Sequence, residues 1–189
     1  MRIEKIKSTY NVAIHFTHFP LHPETSNEGK TLEALFGVSA EEVAKKNAHM
    51  KGLMDAEGLP YGVRTHTYNS RLAQELAAWA VTQDGGDAIH DAFFRAYFVD
   101  TKNIALVGVL LDVAESVGLD RKAAEEVLVT RSHQNVVDED WSKSRRYGVT
   151  GVPTYVVGQN GVVGAQPYEV IEKLVVDGGA VSVCSPSSS

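Results

Sequence analysis

The sequence predicts an α/β domain interrupted by an inserted block of helices. Three observations lead there. Residues 11–16, Asn-Val-Ala-Ile-His-Phe, alternate apolar and polar side chains as a half-buried strand does. Across 39–147 the apolar residues recur instead at helical spacing, in stretches separated by Gly, Asn, Asp or Ser. After Gly148 the strand-like period returns at 154–157 and 161–165, ahead of one last helical stretch. Helices set between strands of a small sheet make an α/β or α+β domain with a helical insertion.

In chain order, residues 1–9 carry Ile3 and Ile6 among charged side chains and are expected to be the last turns of a helix. In the strand at 11–16, Val12, Ile14 and Phe16 share one face and Asn11, Ala13 and His15 the other. Pro20 and Pro23 end it. Ser39-Ala-Glu-Glu42 is a capping box: the Ser39 hydroxyl can accept from the amide of Glu42 while the Glu42 carboxylate accepts from the amide of Ser39. Val43, Met50, Leu53 and Met54 continue that helix toward Gly58, and residues 59–69 read as a polar, irregular connection.

Asn69 or Ser70 caps the next helix, with Leu72, Leu76, Trp79 and Ala80 on one face, and Gly85-Gly86 breaks it. Residues 87–98 carry Ile89, Phe93, Phe94 and Tyr97 at helical spacing. Asn103 opens a helix through Leu106, Leu110, Val113 and Val117 that stops at Gly118, a residue suited to the left-handed position after a helix. Asp120 caps another, to about Val129. Ser132 opens one reaching Tyr147, where Lys143, Arg145 and Arg146 suit the negative helix end. Asn160-Gly161 is a tight-turn signal that makes the two β-rich runs a hairpin. Pro167 stands where the first residue of a last helix would be, with Val170, Ile171, Leu174 and Val175 behind it.

Composition narrows the function classes. Of 189 residues, 18 are Lys or Arg and 24 are Asp or Glu, a net charge of −6. An acidic chain without a Lys/Arg cluster argues against nucleic acid and membrane surfaces as partners. No apolar stretch reaches the roughly 18 residues of a membrane-spanning helix, and the first residues lack an apolar leader core. The expectation is a cytoplasmic protein. The single cysteine, Cys184, cannot by itself close an intrachain disulfide, form a CxxC or build a cysteine metal site.

Other candidates are weaker. His15, His18 and His22 lie close in sequence, but 15 and 18 fall on opposite faces of a strand, so no metal site is expected. His49 and His66 have no partner at ligand spacing. Ser132-His133 lacks the strand-to-helix elbow of a nucleophilic serine. Trp79, Phe93, Phe94, Tyr97 and Phe98 read as core or interface residues, and no cofactor is expected.

The stretch Tyr147-Gly-Val-Thr-Gly-Val-Pro-Thr154 carries the most information. A proline at a strand entrance loses no ladder bond, and the Val152–Pro153 bond in so tight a turn is a candidate for cis. That geometry would turn the Val152 backbone groups outward as an edge for an extended peptide. With Phe19-Pro-Leu-His-Pro-Glu24, Phe93-Phe-Arg-Ala-Tyr-Phe98, Val117-Gly-Leu-Asp120 and Gly164-Ala-Gln-Pro167, the chain over residues 1 to about 178 resembles the DsbA-like, FrnE-type thioredoxin-fold oxidoreductases. The resemblance implies a thioredoxin-like sheet from 1–38 and 148–178 and an all-helical insertion at 39–147, and the small, polar end of the chain makes 179–189 a flexible tail. The resemblance also implies action on protein or small-molecule thiols and disulfides. Thr150, Gly151, Val152, Pro153 and Thr154 would be the substrate-docking loop.

The departure from the family is as informative. Its members place a strand and then a CxxC at the start of the first helix, where helix-end amides favour a thiolate. Both are missing here, so no catalytic residue is assigned and dithiol exchange through that motif is not expected. Gln74 also stands where relatives usually carry His. The alternative is a non-catalytic peptide- or thiol-binding module. A glutathione-transferase reading, from other relatives of the fold, needs a Ser or Cys at that same missing position. The missing strand would lie between 11–16 and the hairpin. Truncation, closure of the two strands on each other, or a strand from 179–184 could each answer the gap. Unpaired strands also raise the expectation of a homodimer.

Overall fold

A computed structural model describes residues 2–183. Its elements are α1 (Arg2–Thr9), β1 (Lys30–Thr31), α2 (Leu32–Phe36), α3 (Ala40–Ala56), β2 (His66–Thr67), α4 (Arg71–Ala80), α5 (Ala88–Phe98), α6 (Val107–Ser116), α7 (Arg121–Thr130), α8 (Gln134–Arg146), β3 (Thr154–Val157), β4 (Asn160–Val163) and α9 (Tyr168–Asp177). The described residues form two compact units. One comprises residues 2–21 with 140–183, and the other is His22–Glu139.

The helical unit is built on local signals that act as the sequence implies. Thr31 caps α2 through Ala34 N–H, the Ser39/Glu42 box at α3 is formed in both directions, and Asp120 Oδ1 accepts from Ala123 N–H at 2.7 Å. Ser70 makes no capping bond with its side chain; Asn69 Oδ1 takes the Arg71 amide at 2.8 Å instead. The core of the unit joins α4 to α7 through Leu76, Trp79, Ile89, Phe93, Leu110, Val113 and Leu128. Phe94, expected inside, is 54% exposed, because the buried face of α5 is set by Ile89, Phe93 and Ala96. The connection at 59–69 is not wholly irregular: β2 pairs with β1, Lys30 opposite Thr67 and Thr31 opposite His66.

Glu75 lies inside this unit with no exposed surface. Its carboxylate accepts from Arg71 Nε at 2.6 Å, Arg131 Nε at 2.5 Å and Arg131 Nη2 at 2.6 Å. Arg71 also reaches Asp138 at 2.7 Å and the Gln134 carbonyl at 2.9 Å. Burial alone would push the Glu75 carboxyl upward, and this is the largest single influence. The hydrogen bonds and charges of Arg131 and Arg71 together outweigh it and hold the group below its ordinary value.

In the other unit β3 and β4 form an antiparallel hairpin, and Ile6, Ile171 and Val175 form a small core with Tyr10, Val12, Tyr155 and Val157 against it. Tyr10 and Tyr168 both donate to Glu172 Oε1, at 2.9 and 3.0 Å. The Glu172 carboxylate raises the Tyr10 hydroxyl above its ordinary value.

Two expectations need correction here. The hairpin turn is not Asn160-Gly161. Val157 pairs with Asn160, so the turn residues are Gly158 and Gln159, and Gly158 supplies the positive φ of 61°. The strand at 11–16 does not form: residues 11–20 have no regular structure. Val12 and Ile14 are half-buried and Ala13 and His15 exposed, so the alternation survives in burial, but Phe16 is 57% exposed. A strand exists only through hydrogen bonds to a neighbour, and among the described residues a tail segment supplies such bonds to residues 9–11. Tyr10 bridges Ser182, Asn11 N–H donates to Val181 O at 2.9 Å, and Val183 N–H donates to Thr9 O at 2.9 Å. The tail therefore pairs at residues 9–11, short of 12–16. Cys184, with the rest of 184–189, lies outside the described residues.

Candidate functional site

The loop at 150–154 is placed by the end of α8. Gly148, at φ 66°, donates to Arg145 O at 3.0 Å, and Val149 N–H donates to Ser144 O at 3.0 Å. This pair of bonds closes the helix and turns the chain sharply. Only glycine takes that φ without cost. Thr150, Val152 and Pro153 are exposed, and Gly151 and Thr154 are half-buried. The Val152–Pro153 bond is cis. Thr154 Oγ1 donates to Gly151 O at 2.7 Å, which ties the two ends of the loop together.

The loop runs directly into β3, and its register decides which backbone groups are free. Gly164 N–H donates to Pro153 O at 2.7 Å. In an antiparallel pair the bonded residues alternate. Pro153, Tyr155 and Val157 therefore direct their backbone groups toward β4 and its extension, while Val152, Thr154 and Val156 direct theirs to the outer edge. Among the described residues no strand pairs with that edge. Neither the N–H nor the C=O of Val152 has a hydrogen-bond partner among them.

The second family-like stretch, 164–167, is brought beside the loop by the Gly164–Pro153 bond. Gly164 takes φ 91° and accepts from Gln166 N–H at 2.8 Å. Arg2 of α1 holds the turn from the other side, donating from Nη1 to Ala165 O at 3.3 Å and Gln166 O at 3.1 Å. Loop, turn and Arg2 thus form one backbone-rich corner.

The histidines of the early segment go elsewhere. His18 Nδ1 lies 2.7 Å from Asp140 Oδ2, which also accepts the His18 amide at 3.0 Å, and Ser144 Oγ donates to His18 O at 3.2 Å. His22 Nδ1 stands 3.9 Å from Glu24, and His15 is exposed. Among the described residues no group of three His, Cys, Asp or Glu is placed to hold a metal ion. None of their helices is long and apolar enough to cross a membrane. Asp140 and Arg2 escaped the sequence reading. Asp140 had no signal beyond its position in α8, and Arg2 acts only through main-chain carbonyls distant in sequence.

A family described as the DSBA-like thioredoxin domain matches residues 1–176. A solved structure of a probable DsbA oxidoreductase from Streptomyces coelicolor superposes with a TM-score of 0.86 at 25% identity, covering 100% of this chain and 85% of that one. A 2-hydroxychromene-2-carboxylate isomerase shares the fold at a TM-score of 0.71 and 20% identity, over 94% of this chain and 85% of that chain. Among curated proteins, the "Uncharacterized protein YwbO" of Bacillus subtilis is 31% identical over 116 residues, 61% of this chain. The match spans 58% of that relative's length.

Proposed function

The chain belongs to the DSBA-like thioredoxin domain family, and from that premise we propose that it is a FrnE-type relative of the thiol–disulfide oxidoreductases whose 189 residues bind rather than exchange. The loop of Thr150, Gly151, Val152, Pro153 and Thr154 docks the backbone of an extended, thiol-bearing peptide. The observation that carries this reading is the exposed Val152, whose N–H and C=O have no partner among the described residues. An extended segment laid against Val152 would gain backbone hydrogen bonds that cost the protein no rearrangement.

Exchange through an intrachain disulfide moves electrons between two thiols and a substrate disulfide, and this sequence has one cysteine. Binding without turnover is the chemistry left to it. The cytoplasm is its proposed compartment. The match to the Streptomyces coelicolor oxidoreductase supports thiols and disulfides as the substrate class.

Two measurements test the reading. In reduction of insulin by dithiothreitol, the purified chain should add nothing to the uncatalysed rate. Turnover that persists in Cys184→Ser would overturn the proposal, because a chemistry without any thiol would then be at work. In an amide-resolved titration with alkylated insulin B chain, Gly151, Val152 and Thr154 should shift and saturate. Saturable shifts confined to residues outside this corner would also overturn it.

A further inference from the structure

The helical unit carries a second, small polar recess, lined by Arg64, Thr65, His66, Tyr68, Tyr97 and Thr101. It plays no part in the loop at 150–154. We propose that it binds a small oxyanion, a phosphate or carboxylate group, on the Arg64 guanidinium.

The first support is what Arg64 lacks. Arg71 and Arg131 in this unit share the Glu75 carboxylate. Arg64 has no ion-pair or side-chain hydrogen-bond partner among the described residues. Its Nε is cut off from solvent and makes no hydrogen bond. A charged donor left unsatisfied in such a place costs more than an ordinary missing bond. The guanidinium is nonetheless held firmly, its Cζ lying 4.5 Å from the ring centre of Tyr97 and 4.8 Å from that of Phe98. Stacking on a ring face engages the flat side of the guanidinium and leaves its in-plane N–H donors to seek an acceptor.

The second support is the composition of the lining. It contains a guanidinium, hydroxyls from Thr65, Tyr68, Tyr97 and Thr101, and an imidazole, with no carboxylate. These are the groups that meet the lone pairs of an oxyanion, with Arg supplying the paired donors. A cation would find nothing to neutralise it there.

The third support is that the recess is built and held. Asn47 Nδ2 donates to the Arg64 carbonyl at 2.9 Å, and Tyr61 OH donates to Asn47 Oδ1 at 3.1 Å. Gly62 N–H donates to Phe98 O at 2.8 Å, and a Cβ at Gly62 would lie 2.2 Å from Val99 O, so only glycine lets this strap approach the end of α5. His66 stacks on Tyr68 with 6.0 Å between ring centres and 8° between planes. Thr101, a β-branched residue, sits at φ 54°, a conformation such residues rarely hold without reason.

The test is an amide-resolved titration of the full chain with sodium phosphate and, separately, sodium acetate, at constant ionic strength made up with chloride. Saturable shifts at Thr65, His66 and Thr101 are expected from at least one of them, and the stronger binder tells whether a tetrahedral or a planar oxyanion is preferred. Arg64→Gln should weaken that binding by about tenfold or more, the scale of losing a charge-assisted paired contact. Thr65→Val, isosteric and at an exposed position, leaves the stacked guanidinium in place and should weaken binding by about threefold, even if Arg64→Gln does not fold. Shifts that fail to saturate with either salt would overturn the proposal. So would binding that is the same in a folded Arg64→Gln protein, or unaffected by Thr65→Val where Arg64→Gln is unfolded.

Discussion

The two units stabilise their backbones by different means. In the helical unit His22–Glu139, each helix satisfies its own interior bonds, and caps such as Ser39 and Asp120 close the ends locally. In the other unit the hairpin of β3 and β4 has an outer edge without a partner among the described residues, and the segment 11–20 has no regular structure. Helices can be assembled from local instructions, whereas a strand is completed only by another strand. The open edge therefore gathers its free binding groups, among the described residues, at Val152, Thr154 and Val156.

The largest expected effect lies in the helical unit. Glu75→Ala leaves Arg71 and Arg131 without their shared carboxylate. Arg131 can rehydrate, since its side chain is 40% exposed, while Arg71, at 16%, cannot do so as well. Denaturant titration should show a loss of about 3 kcal/mol, at the low end for a broken buried ion pair. The pH dependence has a definite sign. The Glu75 carboxyl is held below its ordinary value of 4.5, so its contribution is complete above that pH and is lost as pH falls through the lowered folded value. The native protein should lose stability there more steeply than Glu75→Gln. Equal slopes would show that the two arginines do not hold Glu75 charged.

Next comes Ile6→Ala. Ile6 is fully buried but belongs to a small cluster whose other buried members among the described residues are Ile171 and Val175. A cost of about 2 kcal/mol is expected, near the low end for such truncations because a small cluster can collapse around the gap. If the units differ as described, exchange in α9 should quicken while that in α4 to α7 is unchanged. Uniform quickening would mean that the units unfold as one and would break the comparison.

Asp120→Ala removes the cap of α7 and should cost about 1 kcal/mol, read by thermal or urea denaturation. Smaller still is the deletion of residues 181–189, which removes the backbone bonds from Asn11 N–H to Val181 O and from Val183 N–H to Thr9 O. About 1 kcal/mol or less is expected. Its greater use is in sedimentation. If the tail shields the unpaired backbone near Tyr10, the shortened chain should associate more than the full one.

Much of this is legible in the sequence, and what is legible divides along the same line. The Ser39/Glu42 box, the Asp120 cap and the apolar faces through Leu76 and Leu110 follow from residues a turn or less apart. The bridge of Lys30 and Thr31 to Thr67 and His66 was hidden because its strands are two residues long and far apart in sequence. The strand at 11–16 was read from its alternation, which specifies a face but not a neighbour. The hairpin was placed correctly, but its turn fell on Gly158 and Gln159 because pairing of Val157 with Asn160 sets the register. Glu75 had a signal, an arginine four residues before it on an apolar face. Arg131, which completes the site, came from another helix end.

Among the described residues the outer edge of β3 stands open. Residue-resolved hydrogen exchange on the dilute chain reads it directly. Tyr155 and Val157, bonded to β4, should exchange slowly, and Thr154 and Val156, which face the outer edge, should exchange fast. Protection of all four at every concentration would contradict the account, because some other part of the chain would then be closing the edge.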